Sequence, residues 1–190
     1  LYNRSNKVID LRKVVVCTQD TVANVYQEIE VIAPEGFLLF PGEFVVLSEK
    51  TAEVTSQYNN VDPNRCIELN IPSMNVDGDV VVIADTAFNV VDRIVYSSEW
   101  HFPLLQTTKG VTLERIDYNR PTQDATNWHS AAESADFGTP TKVNSQYNAS
   151  GSADDGAVTI TNEVFSPDND GFNDVVIINY LFSQPGFVAT

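Results

Sequence analysis

The chain has 190 residues, enough for one large domain or two modest ones. Hydrophobic residues make up 43% of it and aromatic residues 10%, so a sizeable core can form. Its 11 Lys and Arg residues stand against 26 Asp and Glu residues, which gives a formal net charge of -15. Because such a surface repels phosphates, we expect neither nucleic acid nor an anionic membrane face as a partner.

Two further features of the composition limit the class of protein. No apolar run approaches the length of a transmembrane helix, about 18 residues, so the sequence predicts no membrane span. Cys17 and Cys66 are the only cysteines, which excludes a disulfide-rich scaffold. One bridge between them and two free thiols are both compatible with the sequence, and Cys17 is expected to be buried because it lies in an apolar run.

Short segments rich in Val and Ile, separated by turn residues, fill the first two thirds of the chain. This spacing predicts eight strands arranged as an all-β sandwich. The predicted strands cover residues 8–11, 14–18, 25–32, 44–47, 66–69, 79–84, 90–96 and 110–116. Those at 79–84 and 90–96 are predicted to form a hairpin. One short helix is predicted after Ser48, whose hydroxyl can accept from the amide of Lys50 or Thr51.

A change in composition predicts a boundary near residue 149. Residues 149–157 are small or polar and lack a side chain able to anchor a core, so we expect a flexible linker there. Residues 1–148 would then form the sandwich. Residues 158–190 would form the truncated start of a second β module, a C-terminal β segment too short to bury a core of its own.

Six motifs in residues 1–148 occur in an order typical of one family. They are LYNRS at 1–5, VIDL at 8–11, FPGEFVVL at 40–47, DGD at 77–79, KGVTLERI at 109–116 and NWHSAA at 127–132. In these motifs the chain resembles the lamin-tail domain, and most closely the bacterial members in surface proteins of Bacteroidetes. The resemblance implies an immunoglobulin-like β-sandwich.

The family pattern begins with a strand before Tyr2-Asn3 that the printed sequence does not include. An unpaired sheet edge is therefore expected, and it could exchange a strand with another chain or with the tail. Residues 158–165 are the candidate donor.

The tail carries a second resemblance. Residues 165–174, FSPDNDGFND, followed by Asn179-Tyr180, resemble the opening of the C-terminal modules of Bacteroidetes gliding and secreted proteins. Such modules are associated with type IX export. The resemblance implies an extracellular location or one on the outer membrane face of a bacterial cell.

The same turn contains the chain's candidate metal site. Asp168, Asp170 and Asp174 supply three carboxylates, and Gly171 permits a sharp bend, so hard oxygen ligands for calcium are present. The turn is not an EF-hand, because Ile177 stands where the closing Glu is required. The alternative is a solvated turn between strands, for which Pro, Asp, Asn and Gly are the usual residues. No other cofactor is indicated.

No catalytic constellation is recognisable. His101 and His129 are the only histidines, and Ser130 beside His129 lacks the Gly-x-Ser-x-Gly surroundings of a nucleophile elbow. We therefore predict that the chain is not an enzyme and that His129 is a structural or hydrogen-bonding residue beside Trp128.

A cluster of aromatic residues follows the second strand of the hairpin. Trp100, His101 and Phe102 could form a recognition surface on a rigid sandwich, or Trp100 and Phe102 could close one end of the core. The first alternative predicts a non-catalytic surface or secreted module that binds a protein or glycan or spaces neighbouring domains. The second functional hypothesis is an accessory domain of a secreted hydrolase whose catalytic part lies outside this sequence.

Overall fold

The computed structural model describes residues 1–148, 158–160 and 178–180. The chain divides into two compact units, Leu1–Ala149 and Ser150–Thr190. In the second unit, strands Val158–Ile160 (β11) and Ile178–Tyr180 (β12) pair antiparallel. The predicted linker at 149–157 lies outside the described residues. So do the candidate calcium ligands Asp168, Asp170 and Asp174.

Residues 1–148 contain ten strands and one short α-helix. The strands are β1 (Ile9–Asp10), β2 (Val14–Asp20), β3 (Val25–Val31), β4 (Leu38–Leu39), β5 (Val46–Ser48), β6 (Cys66–Glu68), β7 (Val80–Asp85), β8 (Val90–Val95), β9 (Leu113–Arg115) and β10 (Trp128–Ser130). The helix α1 covers Thr51–Gln57. Five short 3-10 turns lie at Leu11–Lys13, Pro63–Arg65, Ser98–Trp100, Ala125–Asn127 and Glu133–Ala135.

A four-stranded antiparallel sheet in the order β3-β2-β7-β8 forms the centre of the first unit. β2 and β7 are runs of β-branched residues, which suit a strand packed on both faces. The predicted hairpin of β7 and β8 is confirmed. Its turn is fixed by Asp85, whose Oδ1 accepts from the amides of Ala87 and Asn89 at 2.9 Å each.

The two faces of this sheet contribute to two core clusters. Val16, Val81 and Ile83 face a cluster that also takes in apolar residues of β1, β4, β5 and β6. This packing of one sheet against further strand pairs is that of a sandwich. On the opposite face, Val15, Cys17, Val82 and neighbouring apolar residues form the second cluster. The predicted all-β sandwich is therefore confirmed, and the strand pairs are antiparallel except for β5 with β6.

The predicted start of the helix is also correct. The Ser48 hydroxyl accepts from the Lys50 amide at 3.2 Å, and α1 begins at Thr51. Glu68 in β6 adds a second acceptor, because its Oε2 takes hydrogen bonds from the amide and the hydroxyl of Thr51. A side chain from a distant strand thus caps the helix, which is seven residues long and needs such support.

Glycine at position 78 is required by a close approach between two segments. A Cβ at this position would lie 2.6 Å from the carbonyl oxygen of Tyr96, a distance that side-chain carbons do not adopt. The residue also has a φ of 155°, within the range that favours glycine. The turn before β7 therefore depends on Gly78.

Both cysteines are free thiols, which resolves the alternative that the sequence left open. Cys17 is fully buried as predicted, and burial raises the pKa of its thiol. Cys66 is half-buried, and both burial and the charge of Asp62 raise its pKa. In the described residues, no helix has the length and apolarity needed to cross a membrane.

Candidate functional site

The three residues of the predicted recognition surface lie at the end of the 3-10 turn Ser98–Trp100. The turn is capped by Ser97, whose hydroxyl accepts from the Glu99 amide at 3.2 Å, and it closes with a bond from the His101 amide to the Ser98 carbonyl. The segment then becomes extended at His101. This places Trp100, His101 and Phe102 in succession on a short, hydrogen-bonded loop.

β10 brings a second aromatic group beside this loop. Trp100 stacks on Trp128 with ring centroids 6.2 Å apart and an interplanar angle of 29°. Phe102 lies beside His129 with centroids 5.7 Å apart and an angle of 35°. The two pairs, Trp100 with Trp128 and Phe102 with His129, are called the aromatic site below.

The rings of the aromatic site are partly exposed. Phe102 is 38% exposed, and the other three rings are half-buried. The neighbouring Leu104 is 81% exposed, which extends the apolar surface beyond the rings. This intermediate burial leaves ring surface available for contact with a ligand, and it is also compatible with rings that close one end of the core.

Ser130 joins the loop to β10. Its Oγ accepts a hydrogen bond from the Phe102 amide at 3.0 Å and lies 2.9 Å from Nδ1 of His101. Burial lowers the pKa of His101, which favours the neutral imidazole. The Ser130 hydroxyl therefore bonds both the His101 ring and the backbone of Phe102. His101 consequently positions the loop, and the stacked rings supply the contact surface.

Ser130 and His101 form a serine–histidine contact but not an accessible nucleophile. Ser130 is only 3% exposed, and its oxygen already accepts from the Phe102 amide. Among the described residues, no carboxylate is hydrogen-bonded to His101 to orient its ring. The contact therefore lacks the third member and the open approach that nucleophilic catalysis requires.

Strand β9 pairs with β10 and supports it. The two strands pair antiparallel with His129 opposite Glu114 and Trp128 opposite Arg115. Glu114 is 3% exposed, and its carboxylate accepts from the Thr139 hydroxyl, from the Ser145 hydroxyl at 2.6 Å and from the Gln146 amide at 3.2 Å. These bonds tie the segment after residue 138 to the strand pair. These hydrogen bonds therefore stabilise the strand pair that carries Trp128 and His129.

The prediction that His129 is a structural or hydrogen-bonding residue beside Trp128 is confirmed. Its Nδ1 is 2.9 Å from the Ser130 carbonyl oxygen. The Trp128 indole donates from Nε1 to the Thr122 carbonyl at 2.8 Å, which fixes that ring as well. The sequence predicts a recognition surface at Trp100, His101 and Phe102. It does not predict that Trp100 and Phe102 contact Trp128 and His129. The only available signal was the aromatic character of both segments.

In the described part of the chain, no group of three or more His, Cys, Asp or Glu side chains could hold a metal ion. Comparison of the chain with protein-family models, with curated proteins and with solved structures found no match.

Proposed function

We propose that this chain is a non-catalytic recognition module that binds a protein or a glycan through the aromatic site. The observation that carries the proposal is the meeting of two ring pairs, Trp100 with Trp128 and Phe102 with His129, on a partly exposed surface. Aromatic side chains are enriched where proteins bind partners, because a rigid ring offers a large contact area at a small cost in conformational entropy.

The site is suited to binding because it is already formed in the free protein. Hydrogen bonds from the Phe102 amide to Ser130 and from the Trp128 indole to the Thr122 carbonyl hold both sides of the ring pairs. Binding then requires little ordering of side chains, which leaves more of the contact energy for affinity. Exposed ring faces can stack on the apolar faces of sugar rings or on the side chains of a protein partner.

We further propose that the module acts outside the cytoplasm of a bacterial cell, either secreted or at the cell surface. The support is the resemblance of residues 1–148 to the lamin-tail domain, with its immunoglobulin-like sandwich, and of residues 165–174 to the start of Bacteroidetes C-terminal modules. The formal net charge of -15 suits a soluble surface in that location and disfavours nucleic acid as the ligand.

Binding arrays of glycans and of surface proteins test the proposal. The wild-type chain would be compared with Phe102→Ala, which removes the most exposed ring of the site, and with Phe40→Ala as the control. Phe40 is 48% exposed and lies outside the aromatic site. We expect a ligand whose affinity falls by about tenfold or more in Phe102→Ala, the loss typical of an interface hot spot, and is unchanged in Phe40→Ala.

The result against the proposal is a wild-type chain that retains no ligand, or a ligand that all three proteins bind equally. The rival function, an accessory role in a secreted hydrolase, makes a different prediction. Removing the module from the full polypeptide would then lower activity on an insoluble substrate more than on a soluble one.

A further inference from the structure

A cavity of about 590 Å³ opens among β7, β8, β9 and the first residues of the chain. This volume falls within the range of small-molecule sites, about 300 to 1,000 Å³. Much of the wall is aliphatic: Ile9, Leu11, Val81, Ile83, Ile94 and Leu113. The aromatic site and this cavity share Trp128, and Trp100, Phe102 and His129 are not in the cavity wall.

The charge of the cavity wall has the opposite sign to that of the chain. Its charged lining residues are three arginines, Arg4, Arg93 and Arg115, and one carboxylate, that of Asp92. This local excess of positive charge occurs in a protein whose formal net charge is -15. Electrostatic complementarity therefore favours an anionic occupant of this otherwise apolar space.

Arg115 has an unused donor. Its side chain is 16% exposed, its Nη1 lies 3.6 Å from Oδ2 of Asp92 and its Nη2 donates to the Arg120 carbonyl. Its Nε is buried and has no hydrogen-bond partner among the described residues. A buried donor without an acceptor is costly, and the guanidinium cannot lose its charge to avoid that cost. The Arg115 charge is therefore held in the cavity wall with an incomplete set of hydrogen bonds.

The positive charges at the cavity are only partly neutralised within the protein. Arg4 donates to the Tyr118 carbonyl and Arg93 donates to the Gln19 side-chain oxygen, and both acceptors are uncharged. Burial lowers the pKa of Arg115, the charge of Asp92 raises it, the charge of Arg4 lowers it and the charge of Asp117 raises it. A negative group placed near Arg115 would therefore be stabilised by more than one guanidinium.

We propose that the cavity binds a small amphipathic carboxylate, with its apolar body against the aliphatic wall and its carboxylate in the positive field of Arg4, Arg93 and Arg115. An uncharged apolar molecule would leave this excess of positive charge uncompensated. The proposal is independent of the function assigned to the aromatic site.

Decanoate is a suitable probe, and calorimetry together with the fluorescence of Trp100 and Trp128 can follow its binding. Two probes with the same apolar chain serve as controls. Decanol is uncharged, and decyltrimethylammonium has a positive charge. We expect decanoate to bind about tenfold or more tightly than decanol, the effect of one charge-assisted hydrogen bond, and decyltrimethylammonium to bind most weakly. Equal affinity of decanoate and decanol, or no measurable binding of decanoate, would overturn the proposal.

The matched variants are Arg115→Met and Arg12→Met. Both remove one guanidinium, but Arg12 is an exposed residue that does not line the cavity. We expect Arg115→Met to weaken decanoate binding about tenfold and to leave decanol binding nearly unchanged, with no effect of Arg12→Met. Thermal melting checks the fold of each variant. If Arg115→Met fails to fold, Ile83→Phe provides the second test. Its larger side chain narrows the cavity, so decanoate should bind more weakly. Undiminished decanoate affinity in that variant refutes the proposal.

Discussion

The hydroxyl of Ser130 lies 2.9 Å from Nδ1 of His101; Ser130 is buried and His101 is half-buried. Because the same hydroxyl oxygen accepts from the Phe102 amide, its single proton is free to be donated to the imidazole. Burial lowers the pKa of His101, which favours the neutral ring in the folded protein.

The burial of His101 predicts a loss of stability in weakly acidic solution. The pKa of His101 is lowered from 6.5 on folding, so the unfolded chain binds the proton more tightly than the folded one. The free energy of unfolding should fall as the pH drops from 6.5 towards the folded pKa, and this contribution should be constant above 6.5.

The matched variant is His101→Asn, whose side-chain oxygen can accept the Ser130 proton but does not titrate. Urea unfolding at about pH 7.5 and about pH 5 should show a smaller pH dependence in the variant than in the wild type. An identical pH dependence in both proteins would rule out His101 as the group responsible.

A second prediction concerns the buried carboxylate of Glu114, which accepts from Thr139, Ser145 and the Gln146 amide. Glu114→Gln replaces one acceptor oxygen with an amide group that can only donate, so at least one donor loses its partner. We expect the free energy of unfolding to fall by about 2–4 kcal/mol, since hydrogen bonds to charged groups contribute about 1.5–3 kcal/mol each.

Glu133→Gln is the control for this change, because Glu133 is exposed and lies on the following 3-10 turn. Its effect should stay within about 0.5 kcal/mol, as is usual for surface substitutions. Urea denaturation of the three proteins measures the difference. Equal destabilisation by the two substitutions would mean that the bonds to Glu114 do not support the β9–β10 pair.

The sequence predicts the central sheet well because the residues that form each strand and turn of it are close together in the chain. The β-branched runs of β2 and β7 and the Asp85 turn specify strands and a hairpin without reference to distant residues. β4 and β10 were missed because two or three residues, as in Leu38–Leu39, carry no periodic pattern. The predicted strand at 44–47 was shifted, since Phe44 forms only an isolated bridge with Tyr2 and β5 starts at Val46.

The candidate sites depend on pairings that are distant in the chain. Trp100 meets Trp128 only because the Ser98–Trp100 turn packs beside β10, and neither segment predicts that contact. Arg115 lies on the same face of β9 as Leu113, because side chains alternate along a strand, and this pattern alone would leave Glu114 on the exposed face. Only the fold shows that this guanidinium is largely buried beside Asp92 and that Glu114 is the more deeply buried neighbour.

A third prediction follows from the two free thiols. Cys17 has no exposed surface and Cys66 is half-buried, so a thiol reagent should modify Cys66 alone in the native protein and both cysteines in denaturant. The reaction of Cys66 should be slow, because burial and the Asp62 charge raise its pKa. Cys66→Ser should abolish labelling of the native protein, and Cys17→Ala should leave it unchanged. Recovery of no thiol in denaturant without a reductant would instead demonstrate a disulfide.

The last prediction concerns strand exchange at the outer edge of β8. The Gln123 side chain acts there as a partner for the backbone: its Oε1 accepts from the Val95 amide at 2.8 Å, and its Nε2 donates to the Val95 carbonyl at 2.9 Å. The amide of Arg93 is likewise occupied, because it donates to Oδ1 of Asp92 at 2.9 Å. Side chains thus cover edge groups that would otherwise pair with another strand.

Gln123→Ala removes this cover at Val95 and should promote self-association through β8. Light scattering over a concentration series should give a higher average mass for the variant than for the wild type at the same concentration. Gln27→Ala is a control of the same chemistry at an exposed position in β3, the opposite edge strand of the sheet, and should behave as the wild type. If all three proteins have the same mass at every concentration, the β8 edge does not exchange strands. If the wild type already dimerises as strongly as Gln123→Ala, Gln123 does not prevent strand pairing at the β8 edge.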